Sequence, residues 1–359
     1  MENARHELGR MRESPEAWRE LRYEQTTGAD GYDCDRNATR RATVLWALQY
    51  DRRPEDLALV RWLAEQEAVC RRKAPFQGLT ETTELAGFLL AEYRQPEDVW
   101  LQFTIKRANF DTWCGYDREY LFAAGTDKTL DLVRSSTHPF RDEVLELSTV
   151  SDDDLPDWAA GKRSFFPADP SDEDPLTWVD RAEMTGDLRL ARSLLDEWAA
   201  DRPRDRDTLS ELRYRLTGLG AFAEAAAVQR ERLAFAESAW DRASAWQDLA
   251  ALERQSGDHL AAWTALIECR HALRDVDDWT EVGLGRNYIE ELFALAAAAG
   301  PPVSADAFVE AERNAPDFPD LPLVILQAAT AAATNVGDPA RAAHYAELAA
   351  AEQRRIDAL

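Results

Sequence analysis

The clearest hydrophobic pattern in the chain is a pair of helical stripes within residues 243–273. Apolar residues recur there every three or four positions on both sides of Gly257-Asp258, which is the spacing of amphipathic helices. Glycine suits the position just past a helix end because it adopts left-handed backbone angles, and aspartate accepts amide hydrogen bonds where the next helix begins. The pattern therefore predicts two helices joined by a tight turn. The apolar positions are Trp246, Leu249, Ala250 and Leu252 in the first stripe, and Ala262, Leu266 and Cys269 in the second.

The same turn glycine recurs through the second half of the chain. The intervals are 34, 37, 43 and 37 residues, and an alanine follows each glycine five positions later. Such a period is typical of stacked supersecondary units, and one helix pair alone would leave an apolar face exposed. We therefore predict an array of helical hairpins. The glycines are Gly186, Gly220, Gly257, Gly300 and Gly337, and the alanines are Ala191, Ala225, Ala262, Ala305 and Ala342.

The unit around Gly257 resembles a tetratricopeptide repeat. Its aromatic, leucine, small and turn residues fall where that motif has them, at Trp246, Leu249, Ala250, Gly257, Asp258, Ala262 and Leu266. Four further units look similar with less fidelity, at 172–205, 206–242, 286–322 and 323–359, and in the unit at 286–322 Pro301-Pro302 replaces the usual turn. The resemblance implies an α-solenoid of about five hairpins over residues 176–359, wound as a right-handed superhelix.

The resemblance also implies a concave groove, lined by the first helix of each hairpin, that binds a protein or peptide. The Lys/Asn/Arg clamp with which chaperone-binding relatives hold a peptide carboxylate is not recognisable, so a chaperone tail is not the expected ligand. By this analogy the groove residues are Asp180, Glu183, Tyr214, Gln247, Arg254, Asn287, Glu290 and Gln327.

The sequence of residues 1–147 also predicts helices, but these helices have no repeated motif in common. Helix starts are marked by Ser14-Pro15-Glu16, Arg53-Pro54, Thr80-Glu81 and Gln95-Pro96, because proline is tolerated in the first turn of a helix. Strand signals are absent. We predict an irregular α-helical domain with hairpins around 36–74, 80–110 and 117–135, and hence an all-α chain.

Residues 148–175, between the two halves, are predicted to form a junction because they are rich in proline and acidic residues. Its prolines remove backbone donors, which favours a boundary at this position. The junction also contains Trp158, Phe165 and Phe166, which argue against a free linker. We expect these aromatic side chains to pack against neighbouring residues and so hold the segment in place.

The net charge of −25 is concentrated in the second half, where residues 151–359 carry 40 acidic and 21 basic side chains. Nucleic-acid binding is disfavoured, since it depends on cations that displace counterions from phosphates. Two interpretations of the acidity remain open. It either attracts a basic protein partner or keeps a helical array in solution.

Targeting and metal signals are absent from the sequence. No apolar run approaches the length that crosses a membrane, and the amino terminus is charged from its second residue, so we expect a cytoplasmic protein without membrane contact. The cysteines, Cys34, Cys70, Cys114 and Cys269, lie too far apart for a Cys-x-x-Cys motif. We therefore predict no metal site, no disulfide framework and no cofactor.

The densest cluster of reactive side chains lies within residues 101–120. A thiol beside basic and acidic groups acts as a nucleophile where its pKa is lowered, yet a cysteine is more commonly a packed interior residue. The segment is thus either a structural corner or a reactive site. As a candidate pocket it offers Lys106, Asn109, Asp111, Trp113, Cys114 and Asp117.

Together these patterns predict a non-enzymatic scaffold that binds a protein or peptide in the groove of its second half. One alternative is an immunity or inhibitor protein that captures a basic partner through charge. The other alternative is an enzyme centred on residues 106–117. No catalytic residue is assigned in the favoured interpretation.

Overall fold

The computed structural model describes residues 2–29, 31–318 and 320–358, and its regular secondary structure is almost entirely helical. The all-α prediction is therefore confirmed. Contacts within the chain divide it into two compact units, Met1–Trp178 and Val179–Leu359. Among the described residues no helix is both long enough and apolar enough to cross a membrane.

The first unit is an irregular assembly of mostly short helices. They are α1 (Glu2–Glu13), α2 (Ala38–Tyr50), α3 (Leu57–Lys73), α4 (Glu81–Ala91), α5 (Val99–Lys106), α6 (Phe110–Gly115), α7 (Glu119–Phe122), α8 (Thr126–Ser135), α9 (Arg141–Glu146) and α10 (Leu155–Phe165). Short 3₁₀ turns lie at Pro15–Leu21, Pro54–Asp56, Pro96–Asp98 and Pro170–Asp172.

The predicted helix starts in this unit are present. Pro54 and Pro96 each open a 3₁₀ turn that leads directly into the next helix, where a missing backbone donor costs nothing. Thr80 caps α4, because its hydroxyl accepts a hydrogen bond from the backbone N–H of Thr83 at 3.3 Å. Helix α4 is buried along nearly its whole length and contacts α2, α3, α5 and α7. It therefore forms the centre of this core.

A close contact at Gly87 fixes how α4 packs. The Tyr116 hydroxyl donates to the side-chain oxygen of Gln102, and the Gln102 amide donates to the carbonyl oxygen of Gly87 at 2.9 Å. A Cβ atom at Gly87 would lie 1.9 Å from the Tyr116 hydroxyl oxygen. Only glycine leaves room for this buried tyrosine.

The first unit also contains two strands that the sequence did not indicate. Strand β1 (Gln25–Thr27) pairs antiparallel with β2 (Asp33–Asp35), with Thr26 opposite Cys34. Three residues are too few to show a period of two. The side chain of Asp35 at the end of β2 is buried and pairs with the guanidinium of Arg41 at 2.6 Å, and Arg41 also pairs with Glu67 at 2.8 Å. The strand pair is thus held by a tertiary contact.

The proline-rich junction contains a helix. In α10, Pro156 occupies the first turn, where proline is compatible with helical geometry. Phe166 is buried and stacks on Phe88 with ring centroids 5.4 Å apart, and the Trp158 indole donates to Asp117 at 2.9 Å. Phe165, in contrast, is 56% exposed. Two of the three aromatic residues therefore pack onto the first unit.

Ten further α-helices lie between residues 175 and 356 of the described chain and follow one another in five pairs, which is compatible with the predicted repeat. The odd-numbered members are called the first helices below and the even-numbered members the second helices. They are α11 (Pro175–Met184), α12 (Leu188–Ala200), α13 (Arg206–Gly218), α14 (Phe222–Arg232), α15 (Ala239–Ser256), α16 (His259–Leu273), α17 (Gly283–Ala298), α18 (Val303–Asn314), α19 (Leu323–Asn335) and α20 (Pro339–Ile356).

Four of the five predicted turns have the same backbone geometry. Their glycines have left-handed φ angles between 71° and 90°, and the residue after each glycine donates its N–H to a carbonyl oxygen one turn back in the helix that ends there, at 2.9 Å. This bond is the Schellman arrangement that closes a helix. Asp187, Asp258 and Asp338 then cap the next helix through their carboxylates. Glycine and aspartate therefore perform the predicted roles.

The turn at Gly300 departs from the predicted register. Helix α17 ends at Ala298, Ala299 is extended, and Pro301-Pro302 leads into α18. Ala305, five residues after the glycine, is exposed, whereas Ala307 is completely buried. Ala305 therefore does not take the packed position of Ala262, because the proline pair moves the start of α18 and shifts its packed face by two residues.

Candidate functional site

Ion pairs join successive first helices of the second unit. Arg215 on α13 pairs with Asp180 on α11, 35 residues earlier, and Arg254 on α15 pairs with Glu291 on α17, 37 residues later. Between them, Arg213 on α13 lies 3.4 Å from Asp248 on α15. These separations match the repeat period. We call this series the first-helix ladder.

The ladder determines which side of α13 is free. Consecutive residues of an α-helix point about 100° apart. Arg213 reaches towards α15 and Arg215 reaches towards α11, so Tyr214 projects between these two directions. Its side chain is 71% exposed, the largest exposure among the large hydrophobic side chains described. Tyr214 therefore lies on the open side of the row of first helices.

The same reasoning applies along the row. Gln247 on α15 is buried and donates to the carbonyl oxygen of Leu284 at 3.5 Å, whereas its neighbour Asp248 faces Arg213 of α13. Glu290 precedes the paired Glu291 and is turned outward, partly exposed. We define the first-helix face by the outward side chains Tyr214, Asn287, Glu290 and Gln327.

The structure separates the eight predicted groove residues into two groups. The outward group is Tyr214, Asn287 and Gln327, which are exposed, and Glu290, which is half-buried. The other group serves contacts between helices: Asp180 and Arg254 belong to the ladder, Gln247 is buried, and Glu183 is half-buried with its carboxyl pKa raised by burial and by the nearby Asp180.

A cleft between α13, α14 and α15 was missed by the sequence reasoning. It has a volume of about 190 Å³ and lies between the start of α13, the end of α14 and the first half of α15. Arg206 and Arg232 line it, beside Trp240 and Asp248. One signal could have found it, since Arg206 and Arg213 are seven residues apart and so lie two turns apart on one side of α13.

The second candidate site, around α6, is built differently from the prediction. The ammonium group of Lys106 is buried and donates to the carbonyl oxygens of Trp113 at 2.8 Å and Tyr116 at 2.6 Å. Burial lowers the pKa of this ammonium group. Lys106 therefore closes the short helix α6 through main-chain contacts.

Asn109 and Asp117 face different neighbours. The Asn109 side chain accepts from the N–H of Thr112 at 2.8 Å and donates to the carbonyl oxygens of Arg71 and Gly78 at 3.1 and 3.2 Å. Asp117 instead pairs with Lys162 of α10 at 2.9 Å. The two side chains thus tie α6 to separate parts of the unit.

The remaining members of this predicted pocket face solvent. Asp111 and Cys114 are exposed, and the indole of Trp113 is 43% exposed. The six predicted residues therefore do not converge on one cavity. Their arrangement fits the structural-corner interpretation, in which polar groups hold the chain around α6.

Among the described residues no group of three or more His, Cys, Asp or Glu side chains has the geometry to hold a metal ion. Comparison with protein-family models, with curated proteins and with solved structures gives no significant match to this chain. The first-helix face is therefore the feature of this chain that bears on its function.

Proposed function

We propose that residues 176–359 form a tetratricopeptide-like solenoid that binds a protein or peptide segment along the first-helix face, without a chemical step. The observation that carries the proposal is the first-helix ladder. It fixes neighbouring first helices at one repeat period and leaves a row of outward side chains between the paired ones. The Gly-Asp turns support the same arrangement of hairpins.

The ladder favours binding because it organises the surface in advance. Bidentate pairs between arginine and carboxylate restrict the motion of both helices. Less free energy is therefore lost in ordering the scaffold when a partner binds. Tyr214 supplies a large exposed ring, and Asn287 and Gln327 offer both donors and acceptors of hydrogen bonds. Such a mixture suits an extended segment, whose main chain needs polar partners and whose side chains need an anchor.

The acidity of this half favours a partner with basic residues. Residues 151–359 carry 40 acidic against 21 basic side chains, and Glu290 lies on the face itself. The same charge is compatible with the inhibitor alternative, in which electrostatic attraction accelerates capture. An association rate that falls steeply with salt would favour that alternative, and a flat dependence would exclude it.

The test is a comparison of two variants in affinity capture from a cell extract, followed by titration of each captured protein in purified form. The triple variant Tyr214→Ala, Asn287→Ala, Gln327→Ala removes the outward side chains. The control, Leu260→Ala with Val309→Ala, truncates residues of the second helices that are 67% and 56% exposed.

We expect the triple variant to bind its partner at least about tenfold more weakly at an unchanged melting temperature, because anchors at the centre of an interface each contribute more than about 1 kcal/mol. The control should bind as the unaltered protein does. If the triple variant and the control capture the same proteins with the same affinity, the first-helix face is not the binding surface.

A further inference from the structure

The cleft between α13 and α15 concentrates positive charge in an acidic half of the chain. Arg206 and Arg232 line the cleft, and Arg213, two turns further along α13, lies 3.4 Å from Asp248, which lines it as well. Three guanidinium groups therefore approach from two turns of one helix and from the end of another. Like charges placed so closely repel one another unless anions neutralise them.

The carboxylates nearby neutralise this charge incompletely. A single oxygen of Asp248 serves two arginines, at 3.4 Å from Arg213 and 4.0 Å from Arg232, and both distances exceed those of a good charged hydrogen bond. Asp241 also lines the cleft, where it accepts from the Ser238 hydroxyl at 2.8 Å and its charge acts on Arg206. Three cations thus face two carboxylates, and the one that lies nearest to Arg213 and Arg232 is loosely placed.

Arg232 donates to the side-chain oxygens of Ser210 at 3.2 Å and Gln229 at 2.7 Å, yet two further observations indicate that the cluster can take an additional acceptor. The Nε atom of Arg213 is buried and has no hydrogen-bond partner among the described residues. The pKa of Arg232 is lowered, first by burial and then by the charges of Arg213 and Arg206. A buried donor without a partner costs free energy that an added acceptor would recover.

We propose that this cleft binds a phosphate group. The planar guanidinium group of arginine donates two parallel hydrogen bonds to phosphate oxygens. A tetrahedral phosphate also presents oxygens in several directions to cations on different helices, whereas a carboxylate has only two oxygens in one plane. A cleft of about 190 Å³ admits one such group and little more. Trp240 and Phe235, 46% and 37% exposed, border the opening and offer apolar surface to whatever carries the phosphate.

Asp248 has a defined role in this arrangement. Without phosphate it is the partial counterion of Arg213 and Arg232, and with phosphate bound it is a competing negative charge. Asp248→Asn therefore distinguishes a ligand site from an internal ion-pair cluster. A ligand site gains affinity for phosphate in this variant, while a purely internal cluster loses stability and binds nothing.

The experiment titrates the full-length protein with inorganic phosphate by calorimetry, in a chloride buffer of constant ionic strength. It does not depend on the protein partner proposed above. We expect saturable binding that weakens at least about tenfold in Arg206→Gln and in Arg213→Gln, and that strengthens about threefold to tenfold in Asp248→Asn. The control is Arg189→Gln, an exposed arginine of α12, which should leave the affinity unchanged.

Melting temperatures measured without phosphate show whether each variant is folded. If Arg213→Gln does not fold, Arg206→Gln still tests the proposal, because Arg206 is exposed. Two further probes distinguish the source of the phosphate. If a short phosphoserine peptide binds more tightly than inorganic phosphate, the natural ligand is a phosphorylated protein segment. If adenosine monophosphate binds more tightly, the natural ligand is a small metabolite. The absence of saturable phosphate binding, or equal binding by all variants including Arg189→Gln, would overturn the proposal.

Discussion

Arg254 of α15 and Glu291 of α17 form a bidentate ion pair, with 2.6 Å between Nε and Oε1 and 3.1 Å between Nη2 and Oε2. The pair is largely shielded from water, since the side chains are 24% and 10% exposed. Burial raises the pKa of the Glu291 carboxyl and Arg254 opposes that effect. The pair therefore links two helices that are 37 residues apart in sequence.

We expect this pair to contribute to the stability of the second unit. Arg254→Gln should lower the free energy of unfolding by about 1–3 kcal/mol, because it leaves a buried carboxylate without its cation. A double-mutant cycle with Glu291→Gln, measured by urea unfolding, gives the coupling energy. The same cycle on Arg204 and Glu231, whose side chains are 48% and 46% exposed, should give less than about 1 kcal/mol. Equal coupling in both cycles would contradict a specific role for the ladder.

Gly87→Ala should destabilise the first unit, because the new methyl group would lie 1.9 Å from the Tyr116 hydroxyl oxygen. Overpacking of this kind costs about 1–3 kcal/mol. The matched control is Gly161→Ala in α10, where nothing lies within 4 Å of the new Cβ. Because alanine favours a helix interior more than glycine does, this variant should raise the free energy of unfolding by up to about 1 kcal/mol. Chemical denaturation followed by circular dichroism measures both, and a neutral Gly87→Ala would show that α4 can move away from Tyr116.

Thiol labelling should distinguish two classes of cysteine. Cys34 and Cys114 are exposed, whereas Cys70 and Cys269 are buried, and burial raises the pKa of Cys269 to about 12. Since the thiolate is the reactive form, an aromatic disulfide reagent at neutral pH should modify two thiols quickly in the folded protein and all four in denaturant. Cys114→Ser should reduce the fast class to one. A Cys114 rate far above that of Cys34 would instead revive the enzyme hypothesis.

The protein should lose stability in alkali through its buried tyrosines. Tyr288 on α17 is 1% exposed, and burial raises the pKa of its phenol above the unfolded value of 10.0. A raised pKa means that the fold favours the neutral form, so this contribution is complete below pH 10 and is lost as the pH rises above it. Tyrosinate absorbance should therefore appear together with unfolding. Tyr288→Phe, which cannot ionise, should move the midpoint to higher pH, and an unchanged midpoint would assign alkaline unfolding to other groups.

Several features of the fold could be predicted from short stretches of sequence. Gly257-Asp258 identified a turn because the left-handed angle and the cap depend only on neighbouring residues. Pro54 and Pro96 identified helix starts for the same reason. The strand pair β1–β2 could not be predicted, since each strand is three residues long and is held by Arg41 from elsewhere in the chain.

The candidate site was predictable only in part. Tyr214 was assigned to the open face by analogy and is exposed there. Arg254 was assigned to the same face but pairs with Glu291, because a long arginine side chain can reach a neighbouring helix that the sequence does not locate. The arginine cleft was missed, since Arg232 joins Arg213 through Asp248 only after three helices are packed.

The sequence by itself determined the helices, their capped turns and the repeat period, because these follow from backbone angles and hydrogen bonds within a few residues. Only the tertiary structure decided which of three consecutive residues, Arg213, Tyr214 and Arg215, face neighbouring helices and which faces outward. Each residue step turns the side chain by about 100°, so the rotation of one helix against another assigns every polar side chain to a contact or to the surface. That rotation is fixed by pairs of residues 35 and 37 positions apart, beyond the reach of any local rule.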